Sequence, residues 1–361
     1  MHASVEELAQ LAETAGAMPM ARVTQRLRHP DPRSYVGKGK LEEIAELRDQ
    51  LKATVAIFDD ELTPAQQRNL EKRLDVKIID RTALILDIFS QRARTREGVV
   101  QVALAQHEYL LPRLTGQWEH LERMEGAIGS RGPGETQLET DRRLIRNQIK
   151  RLKQDLERVR THRQQHRRQR DRAGVPLVAL VGYTNAGKST LMNSLTNANV
   201  RARDRLFETL DPTTRRCRLS EDHTVLLSDT VGFIQKLPTQ LVAAFRATLE
   251  ELEEADLLLH VVDGTSPDVI EQCQSVERTL GELGVDQRPT LTVVNKIDAM
   301  EEPVEEVSAA IADEIGARPI AVSAQEKVNL KEVRQAIEAI IPALEGVHII
   351  HRRSNQPAAA S

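Results

Sequence analysis

The sequence predicts an α/β protein: a doubly wound domain with a parallel-type sheet over residues 174–342, preceded by a small α/β domain at 1–103 and an antiparallel α-helical hairpin at 104–173. Three observations carry that reading. Short apolar runs alternate with amphipathic helical patterns in the first and last regions, as parallel strands joined by helices require. A glycine-bearing turn links the first strand of the last region to a helix. Between these regions, apolar residues recur at the 3-4 spacing of a helix pair.

In the first domain, Val5–Ala15 reads as a helix ended by Gly16, and Lys40–Ala53 as a second helix opened by Gly37-Lys-Gly. Val55–Phe58 is a short strand running into Asp59, Asp60 and Glu61; an acidic turn is the plainer reading of that triplet than a metal site. Pro64 opens a helix to Leu74, where a first-turn proline belongs. Val76–Ile79 is a second strand and Thr82–Arg92 a third helix. Two strands make a meagre sheet.

In the middle, Leu111, Leu114, Trp118 and Leu121 form one seam, and Ile145, Ile149, Leu152, Leu156 and Val159 another. The glycine-rich stretch between them cannot continue a helix, hence the hairpin. Arg142–Arg172 holds thirteen Lys or Arg against three Asp or Glu, a local charge of +10 in a chain whose formal charge is -4. That is either a solvated face or a surface for RNA phosphates. His107, His120 and the His162/His166 pair lack a third zinc ligand and read as ordinary helix residues.

The last region has strands at Leu177–Val181, Thr224–Ser228, Leu257–Val262, Thr290–Val294 and Ile320–Val322. Its helices are expected at Thr190–Leu195, Leu241–Leu252, Val269–Leu280, Val304–Ile315 and Leu330–Ile340. Residues 343–361 read as a disordered tail.

The 361 residues contain no apolar run long enough to span a bilayer and no secretion-signal order at the start, so no membrane is expected and a cytoplasmic setting is. Cys217 and Cys273 are too few for a disulfide framework. With aromatics at 2%, stacking of bases on aromatic platforms is excluded as a main mechanism.

Chemistry concentrates in four loops after strands. Gly182-Tyr183-Thr184-Asn185-Ala186-Gly187-Lys188-Ser189 has the GxxxxGKS form, continuing into Thr190. Its N–H groups can cradle phosphates, Lys188 can reach the β- and γ-phosphates, and Ser189 can ligate Mg²⁺. Asp229-Thr-Val-Gly232 places a carboxylate to hold Mg²⁺ through a water and an N–H to sense the γ-phosphate. Asn295-Lys296-Ile-Asp298 offers a carboxylate that accepts from guanine N1–H and amine, which adenine cannot satisfy. Ser323-Ala324 offers an N–H for the guanine carbonyl. Together these point to a P-loop GTPase handling GTP and GDP. A threonine should close the Mg²⁺ site; Thr209, Thr213 and Thr214 are candidates. Phe233 stands where Ras-type proteins carry the water-orienting glutamine, so slow intrinsic hydrolysis is expected, with Gln235 and Lys236 as nearby substitutes.

Assembled in this way, the chain resembles the HflX family of translation-factor-class GTPases. The resemblance extends to Arg33–Lys40, Phe58–Gln66, Asp80-Arg-Thr, Ile88–Ala93, the signature Ser130–Arg143 and the first switch Leu206–Arg215, which favours Thr209. It implies a catalytic set of Lys188, Gly232 and Thr209. It implies binding to the large (50S) ribosomal subunit and its ribosomal RNA, with splitting of stalled or idle ribosomes under stress, and no DNA. Arg131, Arg142, Arg143, Arg146, Lys150, Arg151 and Lys153 are the basic residues placed for RNA contact. Asn185 is similar to an asparagine that coordinates K⁺ in related GTPases, making K⁺ a second candidate cofactor beside Mg²⁺. The leading apolar strand of longer relatives is not legible here. A GTP-regulated RNA-remodelling protein and a protein–protein signalling GTPase with an exposed basic face remain the alternatives.

Overall fold

The structure, a computed structural model, describes residues 2–114, 133–196, 206–236 and 251–341. The chain divides into two units, Met1–Arg163 with Lys236–Phe245, and Gln164–Gln235 with Arg246–Ser361.

The first unit holds α1 (His2–Thr14), α2 (Lys38–Leu51), β1 (Val55–Phe58), α3 (Pro64–Leu74), β2 (Lys77–Asp80), α4 (Arg81–Arg92) and α5 (Arg96–Leu110). β1 and β2 pair in parallel, Val55 opposite Lys77 and Phe58 opposite Asp80. Local chemistry sets the helix starts. Thr63 and Gln66 form a reciprocal capping box with Pro64 just inside α3. Asp80 accepts from Ala83 N–H to cap α4, and Thr95 accepts from Gly98 N–H to cap α5. Val36, Leu41, Phe58, Leu62, Leu70, Leu74 and Ile78 form the core under this small sheet.

The seam Leu111–Leu121 expected of the first hairpin helix opens on a turn at residues 111–113, after α5 ends at Leu110, and from residue 115 it lies outside the described residues. The Thr95 cap starts a helix that hydropathy spacing does not reveal, and the 103/104 boundary falls inside it. Trp118, Leu121, His120, Arg131 and the glycine-rich stretch up to residue 132 lie outside the described residues. Its last residues Pro133, Gly134 and Glu135, expected to be non-helical, instead form the first turn of the next helix, where a leading proline is tolerated. α6 (Pro133–Ala173) follows. Its seam residues Ile145, Ile149, Leu152, Leu156 and Val159 are partly buried, whereas Arg143, Arg146, Lys150 and Arg151 are exposed and Arg142 is half-buried. Lys153 is engaged by Glu108 of α5 at 2.8 Å. The side chains of residues 160–173, His162 and His166 among them, lie outside the described set.

The second unit is built on a six-stranded sheet ordered β4-β5-β3-β6-β7-β8. The strands are β3 (Leu177–Val181), β4 (Thr213–Arg218), β5 (Thr224–Asp229), β6 (Leu257–Asp263), β7 (Thr290–Asn295) and β8 (Ile320–Ala321). All neighbours are parallel except β4 and β5, which are antiparallel. β3 is wholly buried at the centre, consistent with its unbroken apolar run Leu-Val-Ala-Leu-Val. α7 (Lys188–Thr196), α8 (Val269–Glu282), α9 (Val304–Ile315) and a closing helix over residues 330–341 cover it. β4 was not expected. Its sequence, Thr-Thr-Arg-Arg-Cys-Arg, is polar because it forms a sheet edge with only Cys217 buried. Most of the expected helix Leu241–Leu252 and the tail 343–361 lie outside the described residues.

Candidate functional site

The candidate site gathers at the carboxyl ends of the parallel strands, where open α/β sheets present their loops to ligands. The phosphate loop leaves β3, Asp229 ends β5, Asp263 ends β6, Asn295 ends β7 and Ser323 follows β8.

The loop has a backbone that glycine makes possible. Gly187 has φ +91°, and a Cβ there would collide with the Asn295 amide. Gly232 approaches so closely that a Cβ would stand 2.6 Å from Thr184 Cα and 3.0 Å from Lys188 Nζ. Thr184 N–H donates to Phe233 O (2.7 Å), Phe233 N–H to Gly182 O (3.1 Å), and Gln235 N–H to the Tyr183 hydroxyl (2.8 Å). These bonds join the segment after Asp229 to the phosphate loop. Thr184 also accepts from Phe207 N–H at 2.8 Å, bringing the 206–209 segment to the same place.

Lys188 opens α7 and is buried, its ammonium donating to the Gly182 (3.1 Å) and Tyr183 (2.8 Å) carbonyls. Burial pulls its pKa down to about 8, against the opposing pull of the Asp229 carboxylate. The ammonium is therefore held by two loop carbonyls in a buried setting that disfavours its charge.

Three oxygens converge beside it. Ser189 Oγ donates to Asp229 Oδ2 at 2.6 Å, Thr209 Oγ1 donates to the same oxygen at 2.8 Å, and the two hydroxyls lie 2.9 Å apart. Asp229 Oδ1 is buried with no hydrogen-bond partner, and burial raises the carboxyl's pKa. An orphaned buried carboxylate oxygen beside two hydroxyls is a hard, all-oxygen donor set that fits Mg²⁺. Of the threonine candidates, Thr209 stands here; Thr213 and Thr214 lie on β4, where the Thr214 hydroxyl faces Ser228 at 3.5 Å. Asn185, Gly187, Ser189, Thr190, Thr209 and Gly232 line one hollow of about 50 Å³.

The base-recognition loops are cross-braced. Asn295 Nδ2 donates to Ala186 O and Asn295 Oδ1 accepts from Ala324 N–H, both at 2.9 Å. Of the two donors expected to face the guanine carbonyl, Ala324 N–H donates to Asn295 Oδ1 and Ser323 N–H to Val328 O. Lys296 Nζ pairs with Asp263 Oδ2 at 2.6 Å. Asp263 was missed by sequence reading, although an acid ending an apolar strand beside the Asn-Lys-x-Asp loop was a usable signal. Asp298 sits on the turn Ile297–Ala299, exposed and unpaired among the described residues, leaving its carboxylate available to a base.

The substitutes considered for the missing glutamine are placed differently. Phe233 is buried in the core. Lys236 Nζ pairs with Asp59 Oδ2 and Asp60 Oδ1, each at 2.6 Å, within the first unit. Those carboxylates also serve Arg81 (2.6 Å to Asp59) and the Tyr35 hydroxyl (to Asp60), so the acidic turn is spent on internal pairing. No potential metal-binding group of three His, Cys, Asp or Glu occurs among the described residues.

Comparison with known proteins gives the same picture across the chain. Family models described as GTP-binding GTPase N-terminal, GTP-binding GTPase middle region and 50S ribosome-binding GTPase match residues 2–90, 92–170 and 177–296. GTPase HflX of Caldanaerobacter subterraneus subsp. tengcongensis is 50% identical over 335 residues, covering 93% of this chain and 76% of that protein. GTPase HflX of Escherichia coli K12 is 52% identical over 298 residues, covering 82% and 70%. The crystal structure of a GTP-binding protein from Sulfolobus solfataricus in complex with GDP aligns with a TM-score of 0.52 at 26% identity, covering 94% of this chain and 96% of that one. The phosphate loop, the Ser189–Thr209–Asp229 oxygens and the Asn-Lys-x-Asp loop thus belong to a GTPase, and the chain is a member of the HflX family.

Proposed function

We propose that this chain is a GTP-driven factor that binds the large ribosomal subunit and splits stalled or idle 70S ribosomes under stress. The observation that carries the reading is the convergence of Ser189, Thr209 and Asp229 on one point, which can report the terminal phosphate, in a chain of the HflX family. Ser189 and Thr209 would hold Mg²⁺ directly and Asp229 through a water. The ion, when bound, neutralises charge on the phosphate oxygens.

The protein's own groups do the rest. Lys188 transfers its hydrogen bonds from the Gly182 and Tyr183 carbonyls to the β- and γ-phosphates. Gly232 N–H meets the γ-phosphate, and Asp298 reads guanine N1–H and amine. Phe233 supplies no hydrogen bond to water, so intrinsic hydrolysis is slow and a partner must complete the site. Asn185 is the proposed K⁺ ligand; the ion, when bound, would supply positive charge beside the phosphates.

Three working parts are proposed: the α/β domain at 1–103, a helical hairpin at 104–173 and the GTPase domain at 174–342, with α5 (Arg96–Leu110) running across the first boundary. The exposed Arg143, Arg146, Lys150 and Arg151 of α6 and the half-buried Arg142 suit ribosomal RNA, and Arg131, outside the described residues, is proposed with them. Lys153 contributes less because Glu108 holds it. Among the described residues no helix is long and apolar enough to cross a membrane.

Sedimentation of purified 70S ribosomes with the full chain and GTP, GDP or a non-hydrolysable GTP analogue tests the proposal. Separated subunits with GTP or the analogue, but not with GDP, are expected. Intact 70S particles under all three conditions refute it.

A further inference from the structure

At the far end of α7 from the phosphate loop lies a second polar concavity, a cleft of about 500 Å³ within the second unit. α7 spans nine residues, so its ends stand roughly 12 Å apart and the cleft is separate from the nucleotide loops. Leu195, Thr196 and Leu219 contribute to the cleft, and three arginines are among its lining residues: Arg216 and Arg218 from β4, and Arg334 from the closing helix. A charged sheet edge alone would account for the two β4 arginines. It does not account for the third, which comes from a different element.

The arginines differ in how their donors are used. Arg334 donates to Leu195 O at 3.0 Å and stands beside the Cys217 thiol, yet its Nε–H is buried without an acceptor. Arg218 donates to the Ser220 (3.0 Å) and Glu221 (3.3 Å) carbonyls, which fixes its plane against the β4–β5 turn. Arg216 is exposed and makes no ion pair or hydrogen bond among the described residues. Each guanidinium carries five donors, so most of the donors are uncommitted. Glu221 is the one acid among the described lining residues, and nearby Glu338 is occupied by Ser220 and His223. Arg218 and Arg334 are anchored through backbone carbonyls while Arg216 is uncommitted, so the cleft offers free guanidinium donors, the groups best suited to a tetrahedral oxyanion.

We propose that Arg216, Arg218 and Arg334 form a second phosphate-binding site, which takes a backbone phosphate of structured RNA. The site belongs to the GTPase domain and is distinct from the basic face of α6. It does not depend on the ribosome-splitting function, because phosphate contacts are independent of sequence and position a protein on any RNA duplex.

The test uses the full chain saturated with GDP and a fluorescent RNA stem-loop, with anisotropy measured across a salt series. Arg216→Ala is the informative variant because Arg216 supports nothing else in the fold; Arg216→Lys keeps the charge and loses the fork. Arg216→Ala should weaken RNA binding about three- to tenfold and lower the slope of log affinity against log salt by about one, the loss of a single phosphate contact. Arg216→Lys should retain most of the slope, and GDP affinity should be unchanged in both. Inorganic pyrophosphate titrated against the bound RNA separates the two sources of phosphate. Competition abolished by Arg216→Ala, with RNA affinity unaltered, would assign the site to a free phosphoanion and overturn the RNA assignment. Unaltered RNA affinity and slope, with no Arg216-dependent pyrophosphate binding, would overturn the site altogether.

Discussion

Binding of guanine nucleotide should take up a proton through Lys188. Burial lowers the Lys188 pKa from 10.5 to about 8, leaving it only partly charged in mildly alkaline solution. Phosphate oxygens in contact with the ammonium favour the charged form and return the pKa toward its ordinary value. At pH 8, close to half a proton should therefore accompany each GDP bound. If the neutral amine contributes nothing, the apparent dissociation constant scales as one plus the ratio of neutral to charged lysine. That predicts about tenfold weaker binding at pH 9 than at pH 7, or about 1.4 kcal/mol. The free protein behaves oppositely. Its unfolded state holds the proton more tightly between about pH 8 and 10.5, so this lysine makes stability rise with pH across that window. Calorimetry of GDP binding at pH 8, in buffers of different ionisation enthalpy, reads proton uptake directly. Lys188→Arg supplies the control, since its guanidinium stays charged and should remove the uptake. A buffer-independent enthalpy, or the same uptake in Lys188→Arg, would refute the reasoning.

Asp298→Asn should lower GTP affinity by about 10²- to 10⁴-fold, because the amide cannot accept both guanine donors. It should instead improve binding of a xanthine nucleotide, whose carbonyl replaces the amine; competition binding with the two nucleotides distinguishes this from loss of fold. Exchanging K⁺ for Na⁺ at constant ionic strength should slow hydrolysis if Asn185 holds a potassium ion, and equal turnover in the two salts would remove that role.

The pairing of Lys236 with Asp59 and Asp60 changes how the missing glutamine should be viewed. An ammonium shared between two carboxylates at 2.6 Å is held in its charged form, and its pKa is raised by those bonds against the cost of burial. It is a poor proton acceptor in that position. Lys236 is therefore committed to Asp59 and Asp60 within the first unit.

Much of the molecule is determined by local chemistry and was legible from sequence. β3 follows from an unbroken apolar run, β6 from one interrupted by His260, α3 from Pro64 in its first turn, and the phosphate loop from glycines spaced ahead of Lys188. In each case the deciding residues are neighbours along the chain. Tertiary structure alone decided the rest. It brought Thr209, and neither Thr213 nor Thr214, to Ser189 and Asp229; it spent Ala324 N–H on Asn295; and it set Asp263 against Lys296. β4 became a strand through pairing with β5, despite a polar sequence that declares no buried face. These outcomes depend on which distant segments meet, and burial, hydrogen-bond satisfaction and charge pairing are settled only where they do.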